Sequence, residues 1–418
     1  MQIQTILNRV QKHQSFVYGK AQFVKVEGQE ALVVDVAPRA NGQATCSGCA
    51  RKRPGYDAAA TPRLFEFVPL WGFQFFFCYA MRRVDCPKCG VVVEAVPWAE
   101  GKNHLTTTYM WFLAKWARRL SWKGTAEAFL TTWDNVFRCV KMAVDWGRKR
   151  VDLEDVTAIG VDEIAWQYGH KYLTLVYQID EHRRRLLWIG KDRKVKTFLR
   201  FFQWFGKERS ALLNFVCSDM WKPYLRVIAK KAAGALNILD RFHIMSHLGK
   251  ALDEVRAGEA RALKAKGGEP ILKHSRWCIL KRPENLTEKQ GGKLLDLLRL
   301  NLKTVRAYLL KENFQLFWDY LSPHWAGLFL DRWCNQVMRS RIEPLKEKAR
   351  MLRHHRTLLM NWFRAKGAIS NGVVEGFNNK AKLTMRKAYG FRSYEVIEVA
   401  LYHVLGDLPE PKFTHEFC

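Results

Sequence analysis

Hydrophobic residues in this chain recur with two different periods, and the places where one gives way to the other outline its elements. The early stretch "LFEFVPLWGFQFFFCYAMRRV" is aromatic and β-prone. From Leu105 to Arg150 the period is helical, with breaks at Ser121 and near Thr131 to Asn135. Helix, short turn, helix and a basic end fit a helix-turn-helix, although three short amphipathic helices also make a plain bundle. From residue 156 the pattern turns strand-like in "VTAIGVDEIAW", "KYLTLVYQID" and "RRLLWIGKDR", bounded by polar turn residues such as His182 and Arg183. A helix follows in "VKTFLRFFQWFGKE", then a strand in "ALLNFVCSDMW", a helix in "KPYLRVIAKKAAG" and a fifth strand in "ALNILDRFH". Three meander strands followed by helix, strand, helix and strand predict a mixed α/β sheet. Beyond it, "MSHLGKALDEVRAGEARALKAK" and "LLDLLRLNLKTVRAYLLKENFQLFWDYL" place apolar residues at i, i+3, i+4 and i+7, with breaks at "KAKGGEP" and "SPHWAG".

A chain of 418 residues has room for two to four domains, and 48% hydrophobic with 26% charged residues is ordinary for a folded protein. The charge balance is not ordinary. Sixty-nine Lys and Arg against 40 Asp and Glu give a formal charge of +29, which points to a polyanionic partner, nucleic acid first. The 16 Trp and 25 Phe suit stacking on bases, although core packing is the commoner role of any single one. No apolar run approaches the roughly 20 residues a membrane span needs, and "MQIQTILNRVQKHQ" lacks a signal-peptide core. No membrane partner is expected, and the expected location is cytoplasmic, on nucleic acid. Ten cysteines without an export signal predict thiols, some of them on metal.

Four of them have metal spacing: Cys46-x2-Cys49 and Cys86-x2-Cys89, with 36 residues between the pairs. Gly48, Pro87 and Gly90 shape two tight knuckles, and four thiolates around tetrahedral Zn²⁺ close a structural site with no position left for chemistry. The aromatic stretch between the pairs predicts a zinc ribbon built from hairpins. Cys78 lies within it without a partner at knuckle spacing.

Asp162 and Glu163 interrupt the apolar strand "TAIGVDEIAW", where an ionised carboxylate costs several kcal/mol unless something compensates it. Alternation puts Glu163 on the other sheet face. If the first and fourth strands are neighbours, Asp162 approaches Asp219 at the end of the fourth, and two adjacent carboxylates call for a cation between them. Oxygen ligands suit Mg²⁺ or Mn²⁺, and two such ions flanking a phosphodiester would activate the attacking oxygen and stabilise the leaving one.

With "GVDE", "SDMWKPY", "DRFH" and the late "SNGVVEGFNNKAK" following paired CxxC motifs and a helical basic segment, the chain resembles the DDE transposases of bacterial insertion sequences, most closely the ISL-three family. The resemblance covers nearly the whole length. It implies a multidomain α/β protein whose RNase H-like catalytic domain is interrupted by an all-helical insertion and preceded by the zinc ribbon and helix-turn-helix. The implied segments are 1–100 with the ribbon, 101–150 with the helix-turn-helix, 151–244 as the first part of the core, 245–370 as the insertion and 371–418 as the last part. It implies that Asp162, Asp219 and Glu375 form the catalytic, metal-binding triad, with 155 residues between the last two.

The last motif reads as a helix starting near Asn371, with Glu375, Asn378, Lys382 and Arg386 roughly on one face. Asn378 could orient Glu375 or touch DNA, while Lys382 and Arg386 would meet phosphate. Asp240 and His243 in "DRFH" are accessory candidates, although a lone histidine at a helix start is more often a structural cap. Lys123, Arg138 and Lys141 are further DNA-contact candidates in the helix-turn-helix segment. Trp325 is expected in the core, with stacking on an unpaired base as the alternative that the resemblance suggests.

The implied function is a transposase that binds terminal inverted repeats, cuts strands with water and joins the freed 3′-hydroxyl to target DNA, acting as a dimer or larger assembly. The alternatives are a DNA-binding regulator with an inactive catalytic fold and an RNase H-like nuclease outside transposition.

Overall fold

The computed structural model describes residues 2–267, 269–365, 372–388 and 390–412. These form two compact units, 2–151 with 384–412 and 152–383.

In the first unit a four-stranded sheet runs in the order Phe16–Val26, Gln29–Pro38, Phe73–Tyr79, Arg63–Leu70, with the central pair parallel. Its core is aromatic: Trp98 is fully buried and meets Phe16, Phe65, Phe77 and Tyr79 edge-on. The stretch between the two CxxC motifs is therefore β-structure, as its pattern predicts, but most of it builds this separate sheet and not the ribbon. The cysteines ride on smaller pieces, the pair Ala44–Thr45 with Lys52–Arg53 and the three-stranded sheet Gly55–Ala58, Arg82–Cys86, Gly90–Val93.

Three helices follow, Thr107–Arg119, Trp122–Ala128 and Trp133–Arg148. Each starts where a hydroxyl, from Thr106, Ser121 or Thr132, accepts a backbone N–H of its first turn. The predicted breaks at Ser121 and near Thr131 are thus N-caps. The final helix, Tyr394–Leu405, packs on Trp133–Arg148 through Lys141–Glu395 (3.0 Å), Arg148–Glu398 (3.4 Å) and Arg148 over the Tyr402 ring. The expected segment 371–418 is accordingly divided. Its part up to Leu383 belongs with the sheet of the second unit, and its part from Thr384 belongs with this helical group. The reason is the apolar face of Tyr394–Leu405, which buries Ile397, Leu401 and Leu405.

The second unit holds five strands, labelled here β1 (Ala158–Gln167), β2 (Lys171–Ile179), β3 (Arg184–Lys191), β4 (Phe215–Ser218) and β5 (Leu236–Leu239). They lie in the order β3-β2-β1-β4-β5, with β1 antiparallel to β2 and parallel to β4, and β4 parallel to β5. The predicted neighbours, first and fourth, are side by side. On one face Ile159, Val161, Val176 and Val216 pack under the aromatic side of helix Val195–Phe205 and under Tyr224 of helix Lys222–Lys231. The other face receives helix Gly372–Lys387, whose Phe377 stacks on Tyr177 at 4.9 Å. The expected start of that helix, Asn371, and the 370/371 segment boundary lie outside the described residues.

Between β5 and that helix, residues 241–364 are helical, as their period predicts. They do not stand apart as a separate domain. Leu239 of β5 belongs to their hydrophobic core, and Asn361 donates to the Asn237 carbonyl of β5 at 2.8 Å. Trp325 departs from its expected core position. It is 59% exposed in the first turn of helix Pro323–Arg339, whose buried side is filled instead by Trp333, Leu330 and Val337.

Gly160 of "GVDE" is the closest approach of sheet and helix. A Cβ there would lie 2.5 Å from Val374 Cγ2 and 3.4 Å from Ile179 Cγ2. The substitution Gly160→Ala is predicted to destabilise this unit by about 1–3 kcal/mol through overpacking. Thermal unfolding of parent and variant checks it.

Candidate active site

The strand alternation of β1 sends its two adjacent acids to opposite faces. Asp162, beside Gly160 on the helix-covered face, accepts the side-chain amide of Asn378, and its other oxygen accepts the Glu163 N–H at 2.8 Å. Asn378 is buried and in turn accepts the Tyr177 hydroxyl at 2.9 Å, so the Tyr177–Asn378–Asp162 chain ties helix Gly372–Lys387 to β1 and β2. Asn378 thus holds Asp162, not Glu375 as one of its expected roles had it.

Asp219 and Asp240 each sit one residue past the end of their parallel strands, β4 and β5. Asp219 Oδ1 accepts the Trp221 N–H at 2.9 Å. Asp240 caps helix Arg241–Ala265 by accepting the Phe242 N–H at 2.8 Å, so the cap is the aspartate and not the histidine. His243 Nδ1 lies 3.6 Å from Asp240 Oδ2.

These groups share one electrostatic neighbourhood. Burial lifts the Asp162 carboxyl above the ordinary carboxylate range; His243, the Glu163 N–H and Asn378 oppose the shift, and the Asp219 charge adds to it. Burial also raises Asp240 to about 6, opposed by His243 and the Phe242 N–H and helped by the charges of Asp162 and Glu375. Burial raises Glu163 to about 7, with Asp219 and Asp162 adding to the shift and Arg193 opposing it. Asp162, Asp219, Asp240, Glu375, His243 and Asn378 are therefore brought together by one strand, two strand ends and two helices. They do not converge to the spacing of a single ion. Among the described residues only the four cysteines do so.

Lys382 is exposed on the same helix as Glu375 and belongs to this unit; Arg386, also exposed, belongs to the first. Lys123, Arg138 and Lys141 are spread over two helices of the first unit, each paired with an acid one turn on or back: Glu127, Asp134 and Asp145. Such exposed pairs are worth well under ~1 kcal/mol and leave the cations free to exchange partners.

The Sγ atoms of Cys46, Cys49, Cys86 and Cys89 all lie within 4.8 Å of one another, so the cluster could hold a zinc ion. Burial opposes ionisation of Cys86, but the Lys88 and Cys89 N–H groups point at its sulfur and bring it down to about 6. Gly48 is required here, because a Cβ would lie 2.8 Å from Cys89 Sγ. Cys78 stays outside the cluster, on strand Phe73–Tyr79.

Sequence reasoning missed Arg193, which lies 3.3 Å from Glu163 Oε1 and 3.6 Å from Asp219 Oδ2. The available signal was Glu163 itself, an acid on the buried face of a strand that has to find a cation.

The raised acids carry a stability prediction. A carboxyl whose folded pKa exceeds its unfolded value contributes stability below the unfolded pKa and loses it as pH rises through the folded one. For Asp240 that window runs from about 4 to about 6. Without divalent cations, Asp240→Asn is expected to raise the Tm relative to the parent at pH 7.5 more than at pH 4.5. A pH-independent difference in thermal melts would refute the assignment.

Residues 159–401 match the model of a family described as transposase. The chain is 30% identical over 404 residues to the transposase of insertion sequence element IS1557 of Mycobacterium tuberculosis, covering 90% of this chain and 89% of that protein. It is 27% identical over 354 residues to the transposase of element IS1001 of Bordetella parapertussis, covering 84% and 86% respectively. With agreement across nearly its whole length, the chain belongs to the ISL3 family of DDE transposases and is a DNA transposase.

Proposed function

We propose that Asp162, Asp219 and Glu375 are the catalytic triad of an RNase H-like domain that cuts at terminal inverted repeats and joins the freed 3′ ends to target DNA. The observation that carries this reading is the gathering of Asp162, Asp219, Asp240 and Glu375 at the carboxyl ends of parallel strands and under one helix, each raising or feeling the others' charge. In open α/β sheets that edge is where ligands bind.

The donor chemistry fits Mg²⁺ or Mn²⁺. The candidate ligands are all carboxylate oxygens, and their negative charge exceeds what Arg193 offsets locally. Asp162, Asp219 and Glu375 would hold the cations, which when bound polarise a phosphoryl oxygen and make water or a 3′-hydroxyl a competent nucleophile. Asn378 fixes the rotamer of Asp162, with Tyr177 holding the amide in turn. His243 and Asp240, 3.6 Å apart at the start of helix Arg241–Ala265, are the proposed accessory residues. Lys382 and Arg386 provide cations along the helix for backbone phosphates.

In the first unit, the helices Thr107–Arg119, Trp122–Ala128 and Trp133–Arg148 are read as the helix-turn-helix and the cysteine cluster as a Zn²⁺ ribbon, together recognising the element's ends. Lys123, Arg138 and Lys141 are the proposed phosphate contacts there. Handling two ends at once calls for a homodimer or larger assembly on DNA. No helix among the described residues is long and apolar enough to cross a membrane, and DNA as substrate places the proposed site of action in the bacterial cytoplasm.

The test uses the full chain, a duplex carrying the element's own end, and Mg²⁺ or Mn²⁺. Asp219→Asn is expected to bind the end as the parent does yet give neither cleavage nor joining; product formation by this variant would refute the triad.

The cysteine cluster has its own test. Metal analysis should find zinc bound to the parent and lost from Cys86→Ser. Because a structural zinc site contributes folding energy, the variant's first unit should melt roughly 10 °C or more lower. Unchanged zinc content would remove Cys86 from the ligand set.

A further inference from the structure

We infer that Arg193 is a positioning residue for Asp219, anchored from behind by Glu163. The inference rests on the reading of Asp219 as a metal-binding carboxylate. Of the two Asp219 oxygens, Oδ1 is occupied by the Trp221 N–H at 2.9 Å, while Oδ2 faces Arg193 Nη2 at 3.6 Å. The same guanidinium places Nε 3.3 Å from Glu163 Oε1 and lies over the Trp221 ring, 4.9 Å from its centroid. Backbone and side chain of one residue, Trp221, thus meet both partners of the Arg193–Asp219 pair.

Glu163 is the feature that asks for an explanation. Its side chain is only 7% exposed, and its neighbours on the same face of β1, Ile159 and Val161, are apolar core residues. A buried carboxylate there costs desolvation that an apolar residue would avoid. Arg193 Nε lies 3.3 Å from its Oε1, an ion pair without a formed hydrogen bond, and the Tyr224 hydroxyl is engaged 3.0 Å away by the Thr174 hydroxyl of β2. What the acid secures is the guanidinium.

The turn that presents Arg193 is held with equal care. Asp192 has φ +84°, a left-handed conformation that is costly for a residue with a side chain. Its N–H donates to the Tyr172 carbonyl at 3.0 Å, and its carbonyl accepts the Thr174 hydroxyl at 2.8 Å, so β2 pins the strained residue on both sides. Strain that neighbours enforce, immediately before an arginine shared by two carboxylates, marks the arginine's placement as the product of the turn. Outer partners of this kind set the rotamer of a metal-binding carboxylate.

The experiment measures Mn²⁺ binding to the full-length protein by calorimetry and by loss of the free-ion paramagnetic resonance signal. Removing a positive charge beside a cation site would by electrostatics alone tighten binding. Positioning predicts the opposite sign: Arg193→Gln weakens Mn²⁺ binding about tenfold. Arg193→Lys keeps the charge but loses the fork that spans two carboxylates, so it weakens binding by a smaller factor. Should Arg193→Gln unfold, the charge-preserving variant decides alone. Mn²⁺ affinity unchanged or raised in the folded variants overturns the inference. Asp219→Asn separates the two layers. If it loses Mn²⁺ binding while the Arg193 variants keep it, positioning alone falls. If it leaves binding intact, the metal reading of Asp219 falls and this inference with it.

Discussion

The seat of helix Gly372–Lys387 on the sheet is the contact on which the second unit depends. The glutamate it carries is separated from Asp219 by 155 residues of chain, so nothing local places it. Three contacts do. Gly160 leaves room for Val374, Phe377 stacks on Tyr177, and Asn378 bridges the Tyr177 hydroxyl and the Asp162 carboxylate. Two of these are apolar and close-packed, with little tolerance for added volume. The third is a hydrogen-bonded chain with Tyr177 and Asn378 buried and Asp162 partly so, which makes it directional as well as favourable. Packing sets the distance of the helix from the sheet, and the amide sets its rotation.

Alternation along β1 then sorts the charges. Consecutive acids on one strand would repel if they shared a face; here Asp162 turns to the helix and Glu163 to the arginine, yet both feel Asp219, which lies past the end of the neighbouring strand. The sheet edge therefore concentrates negative charge from both sides while giving Asp162, Asp219 and Asp240 each its own hydrogen-bond donor. Burial pushes these groups toward their neutral forms, and the partners pull them back. The fixed cation beside them, Arg193, offsets the shared negative charge only in part.

Much of this was legible beforehand because strand order follows from element order. Meander strands followed by crossover units leave few arrangements, and the pairing of β1 with β4 is one of them. The cysteine cluster was legible from its spacing, since a two-residue knuckle fixes where thiolates point. What stayed hidden depends on tertiary volume. Trp325 sits at a helix start where period alone does not tell inside from outside, and the apolar side of that helix was already filled by Trp333 and its neighbours. The aromatic stretch between the cysteine pairs reads as strand either way, but only the competition between two sheets for its Phe residues decides where it goes. The D-x-x-H pattern at the start of helix Arg241–Ala265 was visible, but pointed to the histidine as the cap where the aspartate holds it, and Arg193, in a turn between elements, carried no periodicity to betray it.

The long helical stretch before the glutamate also changes meaning once its packing is known. As a flexible spacer it would impose the closure entropy of a very long loop on the placement of Glu375. Docked as it is, with Leu239 in its core and Asn361 bonded to the β5 backbone, it converts that single long closure into a series of short ones, each stabilised by burial. The last docked helix, Arg356–Arg364, lies against β5, only a few residues in sequence before the described start of the glutamate helix. Delivery of Glu375 is thereby made local again. Phe314 and Trp333 belong to the same hydrophobic core as Leu239 of β5, so the packing that seats Arg356–Arg364 on the sheet is continuous with the centre of the helical stretch.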